Sequence, residues 1–265
     1  LDGTTYKVST QRAGVYVKGN ADCSWMFESK WNVAAIDLAN FSTRNTVNMS
    51  MMFDSCGVTE LILPDSFITE NVTDMSYMFE LSSDLTKITF GTGFCARNVE
   101  TMCCMFYDCS SLTELILPET FESGKLSDMS QMFSYCSNLE RLVLPEAFTT
   151  ENVERAEYVF QGTNKLQEVT VGSKFAFTDA TGYLPEPSEG YIPGATGYWY
   201  NSAGKAFLPE EVPSNVADTY YAVPYTYTLG YARMDENMVY NVPATKTSFK
   251  NAHTFQKQEV VRRVV

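Results

Sequence analysis

Asp128-Met-Ser-Gln-Met-Phe-Ser-Tyr-Cys-Ser-Asn-Leu-Glu-Arg-Leu-Val-Leu-Pro-Glu-Ala-Phe148 decides the fold, because the chain writes this stretch again and again. Aligned on the Met-Phe pair, the copies bring Phe27, Phe53, Phe79, Phe106, Phe133 and Phe160 into one column, in steps of 26, 26, 27, 27 and 27 residues. Self-similarity at a fixed period between about 20 and 50 residues marks a solenoid. It also narrows the functional question, since stacked repeats make long binding surfaces more often than catalytic pockets.

Working outward, three sub-segments recur. The first is Leu-x-x-Leu-x-Leu, as in Leu112/Leu115/Leu117 and Leu139/Leu142/Leu144, with Leu85/Ile88/Phe90 and Val58/Leu61/Leu63 as variants. Its last two apolar positions alternate with the period of a strand. Pro64, Gly91, Pro118, Pro145 and Gly172 follow and stop the strand. The second is Phe-x-(Thr/Ser)-x-Asn, as in Phe67/Thr69/Asn71 and Phe148/Thr150/Asn152. An Asn stacked in register links successive coils through its amide. The third, Thr73 to Phe79 and Ser127 to Phe133, reads as a short helix. Thr73 and Ser127 are N-cap candidates, and Met75/Met78 or Met129/Met132 share a face three residues apart. Each repeat is then a short parallel strand plus a short helix, an α/β leucine-rich-repeat-like solenoid of about six coils. At a strand spacing of about 4.8 Å, six coils make an array roughly 25–30 Å long.

The chain divides into residues 1–21, an N-terminal strand cap split by a turn at Gln11 to Gly14; 22–175, the array; 176–222, a loop and hairpin C-terminal cap around Asn201 to Gly204; and 223–265, an unassigned β-rich segment. That last segment reads as strands at Tyr225 to Leu229 and Met238 to Val242, and its charges turn basic from Lys246 onward.

A net charge of -13 argues against nucleic acid as a partner. No run approaches the ~18 apolar residues of a membrane helix, so no membrane insertion is expected of this stretch. A start at Leu1, without Met or a signal peptide, reads as a fragment or mature form. Cys56, Cys109 and Cys136 share a column with Ser82 and Thr163, which predicts small, buried, unpaired thiols. With one histidine, His253, nucleophilic catalysis and a Cys/His zinc site find no support, and no cofactor motif is present. Gly91-Thr-Gly93 lacks the rest of a phosphate-binding fingerprint. The chain is therefore not expected to be an enzyme.

Asn71-Val-Thr-Asp-Met-Ser-Tyr-Met-Phe79, together with Cys109-Ser-Ser-Leu-Thr-Glu-Leu-Ile-Leu-Pro118, resembles the leucine-rich-like repeats of BspA-like bacterial surface proteins. The resemblance covers about residues 22–175. It implies an extracellular, cell-surface protein that binds host or neighbouring-cell partners. The sixth repeat departs from the pattern, with Ala156 and Val159 in place of both Met, and the first has Cys23 in place of its first Met.

The outward side of the strands is the candidate ligand site. Its columns offer Glu60, Lys87, Glu114 and Arg141 beside Ile62, Thr89, Ile116 and Val143. A β-branched ladder beside a charged ladder suits a protein or glycan ligand. The competing explanation is that β-branched residues simply suit strands. Two functional readings follow: an adhesin-like protein-binding module, or a structural spacer displaying other domains of a larger surface protein.

Overall fold

The computed structural model describes residues 5–8, 15–177 and 182–224. The chain divides into two units, residues 1–224 and 225–265, and the described residues all belong to the first. The turn at Gln11 to Gly14, the strands expected after Tyr225 and the basic tail lie outside the described residues.

The strands are β1 (Thr5–Lys7), β2 (Val17–Lys18), β3 (Ala35–Asp37), β4 (Phe41–Ser42), β5 (Glu60–Leu63), β6 (Lys87–Phe90), β7 (Glu114–Ile116), β8 (Arg141–Val143), β9 (Glu168–Val171), β10 (Trp199–Tyr200), β11 (Ala206–Phe207) and β12 (Asp218–Tyr221). Each coil of the array contributes one strand of the Leu-x-Leu type, and successive coils run parallel. Leu115 lies opposite Leu142, and Leu142 opposite Val169. At the N-terminal end β1 pairs with β3 and β2 with β4, both parallel. At the other end β12 runs antiparallel to β9, and β10 and β11 extend the sheet as a hairpin.

The inward strand columns are buried in every coil except at Ile88 and Phe90 of β6, which are half-buried. The six Met-Phe phenylalanines form one continuous stack, with ring centroids 5.2–5.9 Å apart and planes within 18° of parallel. Offset stacking of this kind adds roughly 0.5–1.5 kcal/mol per pair beyond burial. Phe94, Phe121 and Phe148 make a second stack.

Polar ladders tie coil to coil. The amides of Asn71, Asn98 and Asn152 donate to the carbonyls of Arg44, Glu70 and Gly124 in the preceding coil, at 2.8–2.9 Å. The small column is explained the same way. Cys109 and Cys136 donate to the carbonyls of Phe79 and Phe106 at 3.1 and 3.0 Å, as Ser82 donates to Phe53 at 2.7 Å. Cys56, Cys109 and Cys136 are buried and unpaired, and burial pushes all three thiols up.

The short helix of each repeat is corrected. Among the described residues the only helical element is the 3₁₀ turn Pro209–Glu211, outside the array. The Met-Phe segment is instead a chain of tight turns. Alternate amides leave their own coil: Met49, Met51, Phe53 and Ser55 donate to the carbonyls of Asp74, Ser76, Met78 and Glu80. The amides between them close three-residue turns, as Met52 does on Met49. A helix about 10 Å wide cannot stack at the ~4.8 Å repeat of strands, whereas turns can. Turns also keep Met75 and Met78 on one buried side, which is why their spacing mimics a helix. Thr73 and Ser127 do not cap; they bond the preceding coil at the carbonyls of Val47 and Glu100. Asp74 and Asp128 cap the turns instead, accepting the amides of Ser76 and Ser130 at 2.8 and 2.9 Å. The turns need left-handed backbone twice per coil: Met51 and Ser55, Tyr77 and Leu81, Cys104 and Asp108, Gln131 and Tyr135, with φ of 50–60°.

Candidate partner-binding face

Successive side chains of a strand leave opposite faces. In β5, Leu61 and Leu63 are buried, so Glu60 and Ile62 face solvent. In β7 the same alternation buries Leu115 and exposes Glu114 and Ile116. Ile62 is 61% and Ile116 45% exposed, so two large apolar groups are held in water. Register aligns the columns: Glu60 lies opposite Lys87 and Ile62 opposite Thr89, while Glu114 lies opposite Arg141 and Ile116 opposite Val143.

The charged column is partly satisfied. Arg141 bridges Glu168 at 2.8 Å and Glu114 at 2.6 Å. Hydrogen bonds to Glu168 first, and then Glu114, raise the guanidinium above its ordinary value. Among the described residues the Lys87 ammonium takes part in no ion pair.

The eight predicted residues fall into two groups, because the strand ladder opens between β6 and β7. At three other junctions one rung recurs at 2.8 Å: Thr86 N to the Thr59 carbonyl, Glu140 N to Thr113, Gln167 N to Glu140; β3 and β5, like β6 and β7, lie in different sheets. Among the described residues no such rung joins Thr113 N to Thr86, and β6 and β7 belong to different sheets. A groove of about 570 Å³ lies there, lined by Lys87, Ile88, Thr89 and Phe90 on one side and Thr113, Glu114, Ile116 and Pro118 on the other.

The groove has a local cause. Where neighbouring coils carry Pro64 or Pro118, this coil has Gly91, and a Cβ there would stand 2.5 Å from the Pro64 carbonyl carbon. Asp65 accepts both the amide and the hydroxyl of Thr92, at 2.8 and 2.9 Å. β6 is thus drawn onto the coil before it and away from the coil after it. Its inward residues Ile88 and Phe90 are left half-buried, where the other coils bury theirs. Thr86, Ile88, Phe90, Thr113 and Pro118 were not anticipated as site residues; the signal was Phe90-Gly91, a bulky residue followed by glycine where Leu-Pro is the rule. Another groove, about 320 Å³, is lined by Arg44, Glu70, Arg97 and Glu122, and its charges are mixed.

No helix among the described residues is long and apolar enough to cross a membrane. No curated protein matches the chain. It is similar to the crystal structure of a T. pallidum leucine-rich repeat protein at 16% identity, over 66% of this chain and 72% of that one, with a TM-score of 0.39. The family described as "Mycoplasma protein of unknown function, DUF285" matches residues 21–141 and 91–176, which together span the whole array. That stretch is more than half of the sequence, and the chain belongs to the DUF285 family.

Proposed function

We propose that the chain is a non-enzymatic, adhesin-like binding module of a bacterial cell surface that holds a protein or glycan ligand along its strand face. One observation carries this reading: Ile116 is exposed in fixed register beside Glu114, at the lip of the groove between β6 and β7. A rigid sheet loses little entropy when a partner settles on it. On the turn face Met75, Met78, Phe79 and their counterparts in the middle coils are buried, while Trp25, Leu81, Tyr135 and Tyr158 stay exposed, so the test includes that face.

The test is a screen of the immobilised chain against extracellular-matrix proteins and glycans, followed by two substitutions. Ile116→Lys removes binding and leaves the fold intact, while Gln131→Lys, on the turn face, changes nothing. Binding that survives the first and fails on the second moves the site to the turns. A second reading, a stiff spacer displaying other domains, is favoured by the amide, hydroxyl and thiol ladders that cross-link the coils. It gains if the screen is empty and many modules flank the array in the full gene.

A further inference from the structure

Cys103 and Cys104 are consecutive residues, yet their sulfurs converge to 3.6 Å. In a strand, neighbours point to opposite faces. Here Cys104 takes one of the left-handed turn positions, with φ 55°, and the alternation is broken. The other coils have Ser24, Ser50, Ser76, Ser130 and Glu157 where this one has Cys103, so the pair of thiols occurs in one coil only.

The two thiols differ. Cys103 is half-exposed and stands 3.9 Å from the Tyr77 hydroxyl. Cys104 is buried beneath it, 3.7 Å from Gln131 Oε1. The Cys104 thiol, hydrogen-bonded to Cys103, lowers the Cys103 pKa, while Cys104 itself is raised by the same contact and by burial. The charge on Cys103 pushes the Tyr77 phenol up to about 12. An accessible sulfur biased toward thiolate, next to a second that keeps its proton, is the arrangement of an attacking and a resolving cysteine.

We propose that Cys103 and Cys104 form a redox-responsive dithiol that a peroxide closes to a vicinal disulfide and a small thiol reopens. The Cys103 thiolate attacks one oxygen of hydrogen peroxide, the O–O bond breaks, and sulfenic acid and hydroxide result. The Cys104 sulfur then attacks the Cys103 sulfur, its proton leaves with the departing oxygen as water, and the S–S bond forms. Two thiols are oxidised and one peroxide is reduced to two waters. Consecutive Cα atoms lie about 3.8 Å apart, short of the usual disulfide range of about 4.4–6.8 Å, so the ring is strained and easily reduced. Closure bears on the coil contacts. Tyr77 N donates to the Cys103 carbonyl at 2.8 Å and Cys104 N to the Ser130 carbonyl at 2.9 Å, so both neighbouring coils register the change.

The experiment treats the reduced full chain with limiting hydrogen peroxide, unfolds it in an alkylating agent and weighs the peptides. The expected result is a peptide carrying Cys103 and Cys104 that is unalkylated and two hydrogens lighter, with the other five cysteines alkylated, and full reversal by dithiothreitol. Cys104→Ser leaves Cys103 as a sulfenic acid that dimedone traps. Phenylarsine oxide, which condenses with paired thiols, binds the reduced wild type one-to-one and the Cys104→Ser chain not at all. The proposal is overturned if both cysteines are alkylated after peroxide, if Cys103 goes to sulfinic acid without cross-linking, or if the folded, reduced chain takes up no arsenical.

Discussion

Phe79 and Phe106 stack 5.2 Å apart, the shortest step in the six-ring column, at the same junction where Thr86 and Thr113 fail to meet. The two coils are closed on the ring side and parted on the strand side. Phe106 has a ring on each of its faces, while Phe160 stacks on Phe133 alone. Phe106→Ala is expected to cost about 3–5 kcal/mol, the range for a buried aromatic, and Phe160→Ala less. Denaturant melts decide, and equal losses would show that the terminal coil is no weaker than the middle.

Gly162 occupies a left-handed position with φ 77°, in the column where Leu81 sits at 53°. A Cβ on Gly162 would also meet Tyr135 Cδ1 at 2.7 Å. Gly162→Ala is expected to lose at least about 1–2 kcal/mol, the left-handed penalty for an L-residue. Leu81→Gly, at an exposed position, is expected to gain up to about 1 kcal/mol by removing that penalty. A thermal melt in which Leu81→Gly is the worse of the two would mean that the turn column carries no strain.

Glu80 is pushed up to about 7 from an ordinary 4.5, by burial first and then by Asp54 in the preceding coil. Between those values the folded chain holds a proton that the unfolded chain has released, so stability falls as pH rises. Its contribution is fully present below pH 4.5 and gone above about 7. Glu80→Gln should therefore flatten the melting temperature across that window and raise it at pH 8 relative to the wild type. An unchanged slope would place the titrating group elsewhere.

Arg141 joins Glu114 and Glu168 on an open face, with 40% of its side chain exposed. Exposed pairs contribute roughly 0–1 kcal/mol, so Arg141→Met should cost no more than about 1 kcal/mol and leave the sheet intact. A larger loss in urea titration would show that the ladder holds β7, β8 and β9 in register.

Much of this architecture is legible in the residues. The Met-Phe period locates the coils, the Leu-x-Leu alternation orients the strands, and the Asn and Cys/Ser/Thr columns announce side chains that bond between coils. The turns were not legible, because Met75 and Met78 at a spacing of three satisfy a β-turn as well as a helix. What separates the two is the destination of the amides, which is the neighbouring coil. The candidate face was half legible. Alternation identifies Glu60, Ile62, Lys87, Thr89, Glu114, Ile116, Arg141 and Val143 as outward. The gap that divides them depends on how closely Gly91 lets one backbone approach another, a distance that no periodicity encodes.

β12 runs against the direction of every coil before it. A stack of parallel coils is a one-dimensional crystal, and its last layer offers the next molecule's first layer a matching template. A reversed strand spoils that match, since a newcomer arriving in the coils' polarity finds the wrong spacing of donors and acceptors. With the β10–β11 hairpin laid outside it, β12 begins a closing layer that a further parallel coil does not match.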